Sequence, residues 1–242
     1  MKILAIIPAR GGSKSIPFKN IQKLGKFPLI TYTIESAKKS KKVNRIIVST
    51  DDKKIAKIAE KCGVEVPFLR PKKISLDKSS TLEVVQHTLQ FLQKTENYTP
   101  DIITILLPTS PFRPLNLIDE SIKKLRNSNA TSVVSVFKNK EHPYKAFFLE
   151  NKLLNPFKSN FKNYYQRQKL SNSYHTTGAA YTFWFKTLKK FGHYYGPRME
   201  PLIFQNNEIN IDIDDMFDFF IAEMTLKYWK NYSKKMKKKG VN

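Results

Sequence analysis

The chain has 242 residues, 40% of them hydrophobic, and a formal net charge of +23 from 43 Lys+Arg against 20 Asp+Glu. That composition supports one packed domain, residues 1–242, and excludes an intrinsically disordered chain. The single cysteine, Cys62, excludes an intramolecular disulfide and a zinc site built on several thiolates.

Ile3 to Ile7 is a short apolar run stopped by Pro8, which reads as a buried strand. It is too short to cross a bilayer or to serve as a signal peptide, and no later run is long enough to span one, so a cytoplasmic protein without a membrane span is expected. Helical spacing follows at 28–39, with Pro28 suited to a first turn, then a strand at 45–49 and a helix at 52–62. Residues 64–68 read as a short strand before Pro71. Ser79 and Ser80 precede Glu83 as a capping box for a helix carrying Leu82, Val85, Leu89 and Leu92. A strand at 102–107, a helix at 115–126 and a strand at 131–137 continue the alternation. This repetition predicts a doubly wound α/β domain: a mostly parallel sheet with helices on both faces.

The rhythm breaks near residue 138. Residues 139–175 are polar and rich in Asn, Lys and aromatics, and read as an arm hung on the domain, with a hairpin at 146–154 turning around Glu150-Asn151. Tyr164, Tyr165, Tyr174 and Tyr181 suit packing against a partner subunit. A strand at 179–185, a strand at 208–214 and a helix at about 215–230 close the pattern. His87 and His193 read as packing residues. With His142 and His175 in the arm, the four histidines share no metal-binding spacing.

The strong basic balance suits either a nucleic-acid binder or an enzyme with anionic substrates. The lysines are spread along the chain and no zinc-finger or RNA-recognition signature is present, which favours the enzyme and argues against specific nucleic-acid binding. The cluster Lys234 to Gly240 reads as a solvated tail.

The segment PARGGSKSIPFKN, residues 8–20, follows the first strand directly, where open α/β sheets bind ligands. Gly11 and Gly12 permit close backbone approach, and their amides with that of Ser13 suit an anion-binding concavity. Arg10, Lys14 and Lys19 bring three cations to a phosphate chain. The spacing fits neither a Walker A loop nor G-x-G-x-x-G. Near the end, EINIDIDD places Asp212 and Asp214 on one strand face, roughly 7 Å apart, within reach of one hydrated cation. Read alone, the same residues fit a polar strand face ending in a helix cap at Asp214 or Asp215.

IIPARGGSKSIPFKNI resembles the N-terminal signature of the CMP-sialic acid synthetase (acylneuraminate cytidylyltransferase) family, with Ser15 where the family has Gly. VSTD (48–51), FLRP (68–71), KSST (78–81), PTSPFR (108–113), HPYK (142–145) and Arg167-Gln168 resemble further family segments in the same order. The resemblance implies a Rossmann-like nucleotidyltransferase fold with a dimerisation arm at about 139–175, and hence a homodimer. It implies that Arg10, Gly11, Gly12, Ser13, Lys14, Lys19, Asn20, Arg70, Ser79 and Ser80 hold CTP. It assigns Lys145, Arg167 and Gln168 to an acidic sugar, and Asp212 and Asp214 to Mg2+, with Arg10, Lys14, Lys19 and Asp214 as the catalytic set. The implied reaction transfers CMP from CTP to the anomeric hydroxyl of a 2-keto sugar acid, a sialic-acid-like nonulosonate. 3-Deoxy-manno-octulosonate or a phosphonate is the nearest alternative acceptor, and a non-catalytic polyanion binder is the alternative of another class. Leu107 and Thr177 depart from family positions near the sugar, so the acid is expected to differ from ordinary sialic acid.

Overall fold

A computed structural model describes residues 1–158, 170–204 and 210–238. The first half alternates as the periodicity predicts. β1 (Ile3–Pro8) is followed by α1 (Leu29–Lys38), with the small pairs β2 (Lys23–Leu24) and β3 (Phe27–Pro28) between them. β4 (Arg45–Ser49), α2 (Lys53–Lys61), α3 (Thr81–Glu96), β5 (Ile102–Ile105), α4 (Leu117–Arg126) and β6 (Ser132–Lys138) come next. The hairpin β7 (Phe147–Glu150) and β8 (Leu153–Pro156), the long β9 (Tyr174–Trp184), α5 (Phe185–Phe191) and β10 (Met199–Ile203) follow. α6 (Met216–Met224), a π-helical stretch (Thr225–Trp229) and α7 (Lys230–Lys238) end the described chain.

Six strands form the central sheet in the order β10-β6-β9-β5-β1-β4. Its parallel pairs are β1–β4, β1–β5 and β10–β6. β9 runs against both of its neighbours, β5 and β6. The mostly parallel, doubly wound α/β architecture is therefore as expected. Alternate residues of β1 supply two cores, the reason that this strand is apolar throughout. Ile3, Ala5 and Ile7 join Ile34, Ile55 and Ile122 on one face. Leu4 and Ile6 join Val85, Leu89, Ile103 and Phe183 on the other. Each fully buried Leu, Ile, Val or Phe among them contributes about 1.5–3 kcal/mol.

Several boundaries differ from expectation for identifiable reasons. Residues 64–68 form no strand; isolated parallel bridges stand in its place, Ile47 with Glu65 and, just beyond, Thr50 with Leu69, because Pro67 between them has no N–H to donate. α4 starts two residues late, after Pro114 and a left-handed Asn116 with φ 96°. The hairpin turns one residue later than read, at Asn151-Lys152, both with positive φ (50° and 65°), as a two-residue type I′ turn requires. β9 extends back to Tyr174, and α5 and β10 were not foreseen. β10 carries Pro201 on the sheet's edge, where the missing N–H is tolerated.

The largest correction concerns the acidic segment. Residues 205–209 lie outside the described residues, and 210–214 form no strand. Their alternation survives: Ile213 is fully buried while Asp212 and Asp214 face outward. Among the described residues, no helix is long and apolar enough to cross a membrane.

Candidate active site

The carboxyl ends of β1 and β5 open into a cleft of about 500 Å³. It is lined by Arg10, Gly12, Ser13, Lys14, Lys19, Asn20, Arg70, Ser79 and Asp214 among others. These residues span more than two hundred positions of sequence, and the fold brings them to one place. Another cavity of similar size, about 530 Å³ between α1 and α4, holds none of them.

The loop at 8–20 is built by three anchors. The Gly11 N–H donates to Asp51 Oδ1 at 3.0 Å, and the Asn20 side chain donates to the Arg10 carbonyl at 2.9 Å. Ile16 is buried with Leu24, Leu29, Ile213 and Phe219 in a third core cluster. Gly11 is required sterically, because a Cβ there would lie 2.7 Å from Asp52 Cβ. Its amide is thus committed to Asp51 instead of joining an anion nest; Gly12 and Ser13 remain at the cleft wall. Asp52 is itself fixed, capping α2 through Lys54 N and Ile55 N.

Among the described residues, four cations face the cleft. Arg70 is buried and donates Nη2 to the Ser49 carbonyl at 2.7 Å. Its Nε has no hydrogen-bond partner among the described residues, and burial lowers its pKa. Lys19 Nζ donates to the Ile213 carbonyl at 2.7 Å and lies 4.0 Å from Asp214 Oδ1. Burial lowers the Lys19 pKa, while Asp214 and then Asp212 oppose that shift. Arg10 and Lys14 both pair with Asp77, at 2.5 and 2.8 Å.

Ser79 lines the cleft and accepts from Leu76 N at 3.0 Å. Ser80 caps α3 in the expected capping box with Glu83, and does not line the cleft. Leu107 lines the cleft, whereas Thr177 is buried behind it and bonded to Ser135 Oγ at 2.7 Å. Arg113 closes this wall. It is the last residue of PTSPFR, and it donates Nε to the Ala179 carbonyl at 2.8 Å and Nη1 to Thr33 Oγ1 at 2.7 Å. Its Nη2 reaches the carbonyls of Leu107 and Gly178. Burial pulls the Arg113 pKa down to about 9, against the pull of Asp212, so the group is charged at neutral pH.

The acidic segment crosses this wall, with Ile213 N donating to the Thr109 carbonyl at 2.8 Å. Asp215 caps α6, accepting from Phe217 N and Asp218 N, and Asp218 Oδ2 in turn accepts from Asp215 N. Capping is therefore the work of Asp215, and the Asp214 carboxylate is left at the cleft. Burial, then the neighbouring Asp212, raises the Asp214 pKa. Among the described residues no group of three or more His, Cys, Asp or Glu could hold a metal. The outward-facing Asp214 carboxylate, with Asp212 two residues away on the same face, does fit a cation completed by phosphate oxygens and water.

Lys145 lies in a 3-10 turn (Pro143–Lys145) in the arm and does not line the cleft. Arg167 and Gln168, like Tyr164 and Tyr165, fall outside the described residues. Asp51, Asp77 and Arg113 escaped the sequence reading as working residues. The only signal for Asp51 and Arg113 was their place within VSTD and PTSPFR.

Comparison with known proteins identifies the family. A family model described as cytidylyltransferase matches residues 4–227. The chain belongs to the cytidylyltransferase family. It is 34% identical over 229 residues to pseudaminic acid cytidylyltransferase of Campylobacter jejuni, covering 94% of this chain and 97% of that one. It is 31% identical to CMP-N,N'-diacetyllegionaminic acid synthase of Legionella pneumophila, at 94% and 97% coverage. It is 33% identical to N-acylneuraminate cytidylyltransferase of Escherichia coli, covering 96% of this chain but 54% of that protein. These relatives place the cytidylyltransferase in the CMP-sialic acid synthetase-like group. A CTP-bound CMP:2-keto-3-deoxy-manno-octonic acid synthetase superposes with a TM-score of 0.67 at 14% identity, covering 94% of this chain and 99% of that one. That likeness shows the shared fold.

Proposed function

We propose that this cytidylyltransferase joins CMP from CTP to the anomeric hydroxyl of a nonulosonate, a 2-keto sugar acid, and releases pyrophosphate. The observation that carries the reading is the cleft, where Arg10, Lys14, Lys19 and Arg70 meet Asp214 at the carboxyl ends of β1 and β5. In the reaction the acceptor oxygen bonds to the α-phosphorus as the α–β bridging bond breaks. The hydroxyl proton goes to solvent, and pyrophosphate leaves with the bridging electrons. Arg10, Lys14 and Lys19 neutralise the charge that develops on the leaving group. Lys19, held by the Ile213 carbonyl, is oriented before substrate arrives. Arg70, Ser79 and the Gly12-Ser13 backbone position the nucleotide. Asp212 and Asp214 would hold Mg2+, which supplies charge neutralisation at the phosphates when bound.

Lys145, Arg167 and Gln168 are proposed to meet the acid, Arg167 suiting the carboxylate through bidentate contact. We also assign the arm, to which these residues belong, to a homodimer contact. Its hairpin supports this: Leu149 and Leu153 are 73% and 68% exposed, an apolar surface a lone protomer would leave in water. Sedimentation giving a monomeric mass would refute the dimer. A reaction fed by CTP belongs in the cytoplasm, where that nucleotide is made.

The test is pyrophosphate release with Mg2+ and each of the four nucleoside triphosphates. The acceptors would be pseudaminate, legionaminate, N-acetylneuraminate, 3-deoxy-manno-octulosonate and a simple phosphonate. Release with CTP and one nonulosonate is expected. Release only with the octulosonate or phosphonate would overturn the acceptor class, and release only with another triphosphate would overturn the base.

A further inference from the structure

Asp77 places one carboxylate oxygen on each of two cations: Oδ1 lies 2.5 Å from Arg10 Nη1 and Oδ2 lies 2.8 Å from Lys14 Nζ. Both cations line the cleft, and so does Asp77. Two oxygens of one anion bridging two cations is the pattern a phosphate group would make there. The cations sit on the anchored loop, whose Gly11 amide, Arg10 carbonyl and Ile16 side chain are all tied down. Asp77 sits elsewhere, in the tight turn where Ser79 N donates to the Leu76 carbonyl and Leu76 N donates to Ser79 Oγ. That turn packs lightly: Leu76 is 61% exposed.

We propose that Asp77 is an internal phosphate mimic, a latch that occupies Arg10 and Lys14 until a polyphosphate displaces it. The inference rests on the reading of this cleft as a polyphosphate site. The chemistry favours exchange. A half-exposed carboxylate carries one charge and is held by screened ion pairs, whereas magnesium pyrophosphate or a triphosphate offers several anionic oxygens to the same two cations. The latch satisfies the two cations in the resting protein and makes every polyphosphate compete with it. It therefore weakens binding of substrate and of the pyrophosphate product alike, which speeds product departure.

The experiment measures binding of inorganic pyrophosphate, with Mg2+, to the full chain and to Asp77→Asn by titration calorimetry. Asparagine keeps the shape and the turn but removes the charge. Tighter pyrophosphate binding by about three- to tenfold is expected, the combined size of two exposed ion pairs. The gain should shrink as salt rises, and the KM for CTP should fall in parallel. Unchanged or weaker pyrophosphate binding would overturn the latch. Asp77→Ser, with the same expectation and the same refutation, serves if the asparagine variant does not fold. Pyrophosphate carries neither base nor acceptor, so a wrong nucleotide or sugar assignment leaves this measurement readable. Absence of pyrophosphate binding by the parent protein would instead refute the polyphosphate site itself.

Discussion

Replacing Arg113 with methionine removes a buried guanidinium while keeping most of the side-chain length. The Ala179 carbonyl and Thr33 Oγ1 lose the guanidinium donor, while the Leu107 and Gly178 carbonyls each keep a backbone donor, Ser110 N and Leu107 N. Each buried acceptor left unpaired costs about 1–3 kcal/mol. Release of the guanidinium from its own desolvation offsets part of that total, leaving a net loss of about 3 kcal/mol. In a domain of this size such a loss lowers the Tm by roughly 6–12 °C. The effect extends to chemistry, because Leu107, Pro108 and Thr109 line the cleft and Thr109 receives the amide of Ile213. A shift of about 1 Å in that wall lowers turnover on the order of 100-fold. Arg113→Lys should fall between the two, since an ammonium cannot span the same four acceptors. Differential scanning calorimetry and the pyrophosphate-release assay read both effects. An Arg113→Met protein melting within about 2 °C of the parent and turning over normally would refute the reasoning.

Three further outcomes are expected. Asp214→Asn should lose turnover by on the order of 100-fold or more. Because the folded state raises the Asp214 pKa, its favourable contribution is complete below 3.8 and fades as pH rises through the folded value. The variant's Tm at pH 7 should therefore equal or exceed the parent's, and a clear drop would contradict that sign. Gly11→Ala forces a Cβ to 2.7 Å from Asp52 Cβ and 2.9 Å from its Oδ2, costing about 1–3 kcal/mol of overpacking. Its Tm should fall and its KM for CTP should rise; parent-like values of both would refute the steric account. His87 is desolvated and faces Arg70 and Lys73, which together lower its pKa below 6.5. The unfolded chain then binds the proton first, so stability falls as pH drops from 6.5 toward the folded value. His87→Leu should flatten that part of the Tm–pH curve, and parallel curves for the two proteins would rule the explanation out.

The sequence by itself determined the sheet-and-helix alternation, because a fully apolar run such as Ile3 to Ile7 has few other places to go. It also marked the loop at 8–20 proposed to hold phosphates, since paired glycines and three cations after a first strand have a local meaning. Ser80 as a helix cap was likewise legible, its partner Glu83 lying three positions away. Asp214 was legible only as a candidate: the same spelling suits a cap, and the structure assigns capping to Asp215. What the tertiary structure alone decided is everything that rests on long-range pairing. Ile16 meets Ile213 in one cluster, Gly11 meets Asp51, Arg10 and Lys14 meet Asp77, and Arg113 meets carbonyls at 107, 178 and 179. None of these partners is marked by periodicity or spacing, because hydrogen bonds and ion pairs across the carboxyl end of a sheet depend on which loops the strand order brings together.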